Sequence, residues 1–236
     1  MLQKCSNKCV GVIGGFGPET TAEFYLQIIF GYKKAGVANR PHIIISNPGN
    51  PIEFENDFIG KNSSTERFVP ILTETAQELE RAGADFIVLP CNSLHKFIEE
   101  IRASVSVPVL SIVEETCKYI KSQKFAKTGL ISTAATVENR VYEVKFEENN
   151  INFAVPNGLH RAEMNKIIQR LVDGEHLNKD REKILEIIKD LKDNENIDAI
   201  ALACTDLQLL LPEDDHVTVF DTMKILADSV VGELLK

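Results

Sequence analysis

The sequence predicts an α/β protein built from two related domains, each a mainly parallel sheet flanked by helices. Short apolar runs alternate along the chain with longer stretches of helical period, which is the pattern of a parallel sheet covered by helices. A second sign is internal: one strand-like pattern, D-x-I-x-L-x-C-x-x-L, occurs twice, with further matches flanking both copies in the same order. Length adds a third, since 236 residues, 44% hydrophobic and 26% charged, suffice for one large core or two small ones.

Taken in order, Val10 to Ile13 reads as a buried strand. The loop of Gly14, Gly15 and Gly17 leads to Pro18, whose missing N–H costs nothing in the first turn of a helix that continues through Phe24, Ile28 and Ile29. His42 to Ser46 reads as a second strand. Asn47 to Ser64, rich in Asn, Gly, Pro and Asp, reads as a long loop of the kind that often serves function. Phe68, Leu72, Ala76 and Leu79 recur at helical spacing, and Gly83 stands where a helix commonly stops. Phe86 to Leu89, Val107 to Ile112, Thr128 to Ser132 and Ile197 to Leu202 supply further strands. Between the last two, Lys179 to Lys192 forms an amphipathic helix with Ile184, Ile187, Ile188 and Leu191 on one face and solvated charges on the other.

The two copies of the pattern, Asp85 to Leu94 and Asp198 to Leu207, lie 113 residues apart. Gly11 to Ile13, followed by a small-residue loop and the pair Thr20 and Thr21, resembles Gly129 to Ile131, 118 residues on and followed by Ser132, Thr133 and Thr136, and Val107 to Leu110 matches Val217 to Phe220 at 110. Buried strands resemble one another by chance, but nearly constant offsets argue for two copies of one unit.

With 26 Lys and Arg against 35 Asp and Glu, the net charge is −9, so the chain lacks the basic footprint that nucleic-acid binding needs. No run approaches the roughly 18 apolar residues of a membrane span, and the polar N-terminus lacks a signal-peptide core, so a cytoplasmic protein is expected. Cys5, Cys9, Cys91, Cys117 and Cys204 are odd in number and irregularly spaced, which predicts free thiols. Cys5 and Cys9 read as part of a polar tail before the first strand, and Cys117 as part of a helix.

Ligands of parallel sheets gather at the carboxyl ends of the strands, where Cys91 and Cys204 both stand. A helix starting around Asn92 to His95 would favour thiolate at Cys91 through its unpaired N–H groups and dipole, and the same argument applies to Cys204. A thiolate is a base and a thiol an acid. One thiol from each unit, set across a cleft, would suit removal of a proton from one face of a substrate carbon and delivery to the other. Structural burial is the competing reading of either cysteine, but the matched strand-end positions with polar neighbours weigh against it. The glycine loop lacks the G-x-G-x-x-G spacing of a nicotinamide site and reads better as backbone approaching a substrate carboxylate. Cys91, His95 and Cys204 make no complete zinc ligand set, so no metal is expected.

Gly14 to Thr21 (GGFGPETT), Pro90 to His95 (PCNSLH), Gly129 to Thr136 (GLISTAAT), Ala203 to Asp206 (ACTD) and Val219 to Thr222 (VFDT) resemble signature regions of the aspartate/glutamate racemase family. They occur in family order across nearly the whole chain. The resemblance implies a racemase without cofactor or metal, made of two pseudo-symmetric α/β domains: residues 1–112 with 223–236 carrying Cys91, and 113–222 carrying Cys204. The two cysteines would be the acid/base pair, the partner a small amino-acid substrate, and the assembly a homodimer. Gly15, Phe16, Gly17, Asn92, Ser93, Thr133, Thr136, Thr205 and Asp206 stand at the positions implied to bind substrate. Phe16 replaces the usual Met and Ser93 the usual Thr. Asp206 stands where aspartate racemases usually carry Glu and glutamate racemases His.

One aspartate racemase branch has a Pro-x-x-Pro-x-Arg stretch whose Arg can hold a side-chain carboxylate. Here it runs from Pro48 through Pro51 to Glu53, and Glu55 and Asp57 follow with no cation before Lys61. An acidic substrate, aspartate or glutamate, would need another cation such as Arg40, Lys61 or Arg140. Racemisation of a non-acidic amino acid or a hydantoin is the alternative within the superfamily, and non-catalytic amino-acid binding the alternative outside it.

Overall fold

The computed structural model describes residues 8–51, 54, 65–175, 177–210 and 218–236. They fall into two compact units, the first from the described part of residues 1–50, 64–115 and 223–236, the second from that of 51–63 and 116–222.

In the first unit, β1 (Cys9–Ile13) leads to α1 (Pro18–Lys34) and β2 (His42–Ser46). A 3₁₀ turn (Thr65–Arg67) opens α2 (Phe68–Arg81), followed by β3 (Phe86–Val88), a second 3₁₀ turn (Ser93–Phe97), α3 (Ile98–Ser104), β4 (Val109–Leu110) and the start of α4 (Ile112–Gln123). The second unit takes in the rest of α4, then β5 (Thr128–Ser132), α5 (Ala134–Glu138), α6 (Glu143–Glu148), β6 (Phe153–Ala154), α7 (Gly158–Val172) and α8 (Asn178–Glu195). It continues with β7 (Ala199–Ala203), a 3₁₀ turn (Thr205–Leu209) and β8 (Thr218–Asp221), after which α9 (Thr222–Leu234) returns the chain to the first unit.

Both sheets are wholly parallel, with strand orders β2-β1-β3-β4 and β6-β5-β7-β8. Each unit therefore places its own strands in the order second, first, third, fourth, and the repeated cysteine pattern follows the third strand in both. The matched glycines share one packing role. A Cβ on Gly11 would come within 2.9 Å of the Ala84 Cβ, and one on Gly129 within 2.7 Å of the Ile200 Cδ1, so both first strands lie too close to their neighbours for any larger residue.

The predicted apolar faces form the cores. On α1, Thr20, Thr21, Phe24, Ile28 and Tyr32 are buried, and α2 buries Phe68, Leu72, Ala76 and Leu79 against β1, β2 and β3. In the second unit α8 buries Ile184, Ile187, Ile188 and Leu191 together with Met164, Ile167, Ile168 and Leu171 of α7. Arg170 of α7 holds the buried Asp180 of α8 through two hydrogen bonds of 2.9 and 2.6 Å.

Several boundaries differ from the sequence expectation. Cys9 is the first residue of β1 and is buried rather than part of a tail. β3 stops at Val88 because Pro90 has no N–H to extend the ladder and restricts Leu89 before it. The expected strand from Val107 to Ile112 shrinks to two residues: Pro108 cannot donate, and Ile112 opens α4. β6 and α7 were not anticipated; β6 is too short to show a period. Cys9, Cys91, Cys117 and Cys204 are free thiols, and Cys5 lies outside the described residues. No described helix is long and apolar enough to cross a membrane.

Candidate active site

In the first unit the predicted residues come from the ends of two paired strands. Val12 of β1 sits opposite Val88 of β3; Gly15 lies three residues beyond the first and Cys91 three beyond the second. Gly15 and Gly17 have φ of +84° and +94°, in the left-handed region that glycine enters without strain. The Thr21 hydroxyl accepts from the Gly15 N–H (3.1 Å) and donates to the Gly17 carbonyl (2.9 Å), closing the loop onto the start of α1. Phe16 is buried with its ring edge-on to Phe68. Asn92 and Ser93 are buried, while Cys91 keeps partial access to solvent.

The segment after Cys91 is a 3₁₀ turn rather than the start of an α-helix, with the His95 N–H donating to the Asn92 carbonyl at 3.1 Å. His95 explains its anchoring. The Ile112 N–H, at the first residue of α4, donates to His95 Nε2 (3.1 Å), which leaves Nδ1–H to donate to the Cys91 carbonyl (2.7 Å). Both ring nitrogens are thus used, the imidazole is neutral, and burial holds its pKa down to about 4. A zinc-ligand role for His95 would require giving up one of these bonds.

In the second unit Ser132 of β5 is paired with Ala203 of β7, so Thr133 and Cys204 are the residues immediately beyond the pair. Thr133 caps α5 by accepting from the Thr136 N–H (3.1 Å), and the two hydroxyls lie 3.0 Å apart. Asn165 of α7 accepts from the Ala134 N–H (2.8 Å) and fixes the same turn. Cys204, 7% exposed, donates its thiol proton to Asp206 Oδ2 at 3.5 Å, and Thr205 is buried beside it. Here too the expected helix is a 3₁₀ turn, started by the Leu207 N–H donating to the Cys204 carbonyl.

The strand end that carries Cys204 is anchored from behind. Thr222 donates to the Leu202 carbonyl (2.7 Å), and the fully buried Tyr142 hydroxyl bonds Thr222. Burial pushes the Tyr142 hydroxyl far above its ordinary pKa, so it acts as a neutral hydrogen-bonding group. Sequence reasoning missed His95 in this double role, Asn165, Tyr142 and Thr222. His95 left a signal in its four-residue spacing from Cys91, and Thr222 in closing the Val219 to Thr222 signature region.

The structure thus assembles Gly15, Phe16, Gly17, Cys91, Asn92 and Ser93 at one sheet end, and Thr133, Thr136, Cys204, Thr205 and Asp206 at the other. Of the candidate cations, Arg140 is exposed and paired with Glu147 (2.5 Å), and Arg40 is exposed. Glu53, Glu55, Asp57 and Lys61 lie outside the described residues. An open polar depression lined by Lys127, Glu147, Asn150, Ile151, Asn152 and Phe153 touches none of the predicted residues.

Three comparisons bear on these two strand ends. The family described as Asp/Glu/hydantoin racemase matches residues 13–230. The broad specificity amino-acid racemase RacX of Bacillus subtilis (strain 168) is 27% identical over 231 residues, covering 96% of this chain and 98% of that protein. Among solved structures, an aspartate racemase homologue from Pyrococcus horikoshii OT3 superposes with a TM-score of 0.81 at 28% identity, covering 97% of this chain and all (100%) of the other. The Picrophilus torridus aspartate racemase also superposes with a TM-score of 0.81, at 25% identity and 97% and 94% coverage.

Proposed function

Because the chain belongs to the Asp/Glu/hydantoin racemase family, we propose that it is an amino-acid racemase in which Cys91 and Cys204 exchange the substrate α-proton. The observation that carries this reading is the matched placement of two free thiols just beyond the third strand of two equivalent sheets. In one direction a Cys91 thiolate takes the α-proton and becomes a thiol, the electron pair of the broken C–H bond spreads into the substrate carboxylate, and the Cys204 thiol returns a proton to the opposite face. The thiolate then rests on Cys204. The other enantiomer runs the same steps in reverse, so no cofactor is consumed or required. Asp206, which accepts the Cys204 proton in a hydrogen bond, keeps that thiol aimed as a donor.

Backbone at Gly15 and Gly17 and the polar groups of Asn92, Ser93, Thr133, Thr136 and Thr205 hold the carboxylate and amino group. Aspartate or glutamate is the substrate of first choice, supported by the likeness to the Picrophilus torridus aspartate racemase. A broader, non-acidic range is the second reading, favoured by the pairing of Arg140 with Glu147 and by the likeness to RacX. Single enantiomers incubated in deuterated water without added cofactor test both. Racemisation with deuterium entering the α-carbon is expected, whereas a binding protein leaves both configuration and hydrogen unchanged. Neutral or basic amino acids turning over faster than aspartate and glutamate would decide for the second reading.

A further inference from the structure

We infer that His95 is a positioning residue for proton transfer at Cys91: the hydrogen bond from its Nδ1–H sets the peptide that joins Cys91 to Asn92, and with it the strength of the Cys91 thiolate as a base. The chemistry is that of the racemase reading, on which this role rests, and the geometry is that of the two strand ends. In the second unit the 3₁₀ turn Thr205–Leu209 starts directly on the cysteine, whose carbonyl accepts from the Leu207 N–H at 3.2 Å. In the first unit the turn Ser93–Phe97 starts one residue later, on Asn92, whose carbonyl accepts from the His95 N–H at 3.1 Å. The Cys91 carbonyl therefore lies outside its turn. The His95 ring folds back to it and donates from Nδ1 at 2.7 Å.

The cysteine carbonyl is thus held at both thiols, by a backbone N–H in one unit and a side-chain N–H in the other. Two turns that start at different residues give no local reason for this agreement; the thiol is what they share. A trans peptide is planar, with its C=O and N–H on opposite sides, and the described residues contain no cis peptide. Drawing the Cys91 carbonyl to the buried imidazole therefore turns the Asn92 N–H away from it, and the Leu207 bond does the same for the Thr205 N–H. A carbonyl oxygen swung to the thiol's side would repel a thiolate through its partial negative charge, whereas an N–H there favours it. His95 is fixed for this task. It is 3% exposed, and the Ile112 N–H donates to Nε2 at 3.1 Å, which leaves the proton on Nδ1, the tautomer that can donate to a carbonyl.

Two substitutions divide the ring between its bonds. In His95→Asn an amide nitrogen stands where Nδ1 stood and keeps the bond to the Cys91 carbonyl, but nothing reaches Ile112. In His95→Gln the amide stands where Nε2 stood, keeps Ile112 and gives up the Cys91 carbonyl. Each variant loses one bond, so a merely structural role predicts similar losses in both. Single enantiomers in deuterated water, read by NMR for exchange of the α-hydrogen, separate the cases, with folding checked by circular dichroism. For the enantiomer whose exchange Cys91→Ser abolishes, His95→Gln is expected to lower kcat by about 10²-fold, the cost of a misplaced reacting group, while His95→Asn keeps most of the wild-type rate. The other enantiomer, deprotonated by Cys204, should lose less. A second readout needs no substrate: alkylation of Cys91 by iodoacetamide at neutral pH, followed by peptide mass spectrometry, reports its thiolate. It should slow several-fold in His95→Gln, hold in His95→Asn, and stay unchanged at Cys204 in both, whereas a turn that had only loosened would expose Cys91 and speed its alkylation. Equal losses of exchange in the two variants, a larger loss in His95→Asn, or Cys91 alkylation that is unchanged or faster in His95→Gln would overturn this role. A wild-type protein that exchanges no amino acid would overturn the racemase reading instead, and the alkylation rates would still decide the role of His95.

Discussion

The two units solve one mechanical problem in part identically and in part differently. In each, an aspartate just before the third strand clips the start of the first. Asp85 accepts from the Cys9 N–H (2.6 Å) and returns its own N–H to the Cys9 carbonyl (2.8 Å). Asp198 accepts from the Ala126 N–H (2.6 Å) and donates to the Lys127 carbonyl (2.9 Å). Each unit also ties the end of its third strand to the helix that follows its fourth. The first unit uses a residue of the turn, His95, reaching from the Cys91 carbonyl to the first N–H of α4; the second uses Thr222, the first residue of α9, reaching back to the Leu202 carbonyl. Both units have the tie, but opposite sides supply it. The clip is therefore repeated in the sequence and the tie is not.

The thiols themselves should separate the units most sharply. Cys204 is hydrogen-bonded to a carboxylate, whereas the residues following Cys91 are the neutral Asn92 and Ser93. Replacing either cysteine by Ser is expected to lower racemisation by about 10²- to 10⁴-fold, the usual worth of a positioned acid or base. Each variant should lose α-hydrogen exchange from a different enantiomer, read by NMR in deuterated water. Equal loss from both enantiomers in both variants would refute a division of labour between the faces. Asp206→Asn should act more mildly, roughly tenfold or about 1.4 kcal/mol in the barrier, and chiefly in the direction where Cys204 delivers the proton.

The two ties differ in their response to pH. His95 stays neutral in the native chain with a pKa near 4, while in the unfolded chain it titrates near its ordinary 6.5. Between those values the unfolded state binds a proton that the native state refuses. Native stability from this group is complete above pH 6.5 and falls by about 3 kcal/mol as pH drops to 4. His95→Gln should therefore be less stable than wild type near neutrality, by roughly 2 kcal/mol for a buried bonded group, and the gap should close on acidification and reverse as pH nears 4. Thr222→Val should cost about 1–2 kcal/mol at any pH, since no ionisable group is lost. Urea unfolding across this range checks both, and a constant His95→Gln gap would show that the imidazole titrates in the native chain as it does in the unfolded one.

The aspartate clips provide the symmetrical control. Asp85→Ala and Asp198→Ala should each cost about 1–2 kcal/mol, because each removes a carboxylate bonded to N–H groups at or just before the start of a first strand, at a solvent-facing position. Unequal costs in urea unfolding would show that one sheet depends on its clip more than the other. These positions were legible in the sequence because a local need, repeated, leaves a repeated pattern: Asp85 and Asp198, Gly11 and Gly129, Cys91 and Cys204. His95 was legible as a nearby residue but not as a tie, since its second partner, Ile112, is 17 residues away and is a backbone group that any residue type supplies. Thr222 was legible only as the last residue of the Val219 to Thr222 signature region, not as a tie, and Tyr142 left no pattern because its partner Thr222 is distant in sequence. The 3₁₀ turns after both cysteines read as helix starts because their side chains carry helical spacing, while the tighter winding is set by backbone bonds such as that from Leu207 to Cys204.

The smallest expected effect contrasts the buried titratable groups of the two units. His95 in the first has both ring nitrogens bonded. Glu143 in the second, 6% exposed at the start of α6, has neither carboxylate oxygen in a well-aligned hydrogen bond and only the backbone N–H groups of Glu143 and Tyr142 loosely facing it. Burial raises its pKa above the ordinary carboxylate value, against the opposing pull of the Glu143 and Tyr142 backbone N–H groups and the Arg140 charge, with the Glu147 charge one turn on adding slightly to the rise. The sign is opposite to that of His95. As pH climbs past about 4.5, the unfolded chain releases its proton while the native chain still holds one, so native stability falls until the native carboxyl has also ionised, and stays lower above that. Glu143→Gln removes the charge while keeping the shape. It should stabilise the protein near neutrality by the order of 1 kcal/mol and make little difference near pH 4, where both states are protonated. Thermal melts of the two proteins at both ends of that range decide the point. If the variant is less stable near neutrality, the backbone N–H groups facing the carboxylate outweigh its burial, and the contrast between a well-bonded buried group in one unit and a poorly bonded one in the other fails.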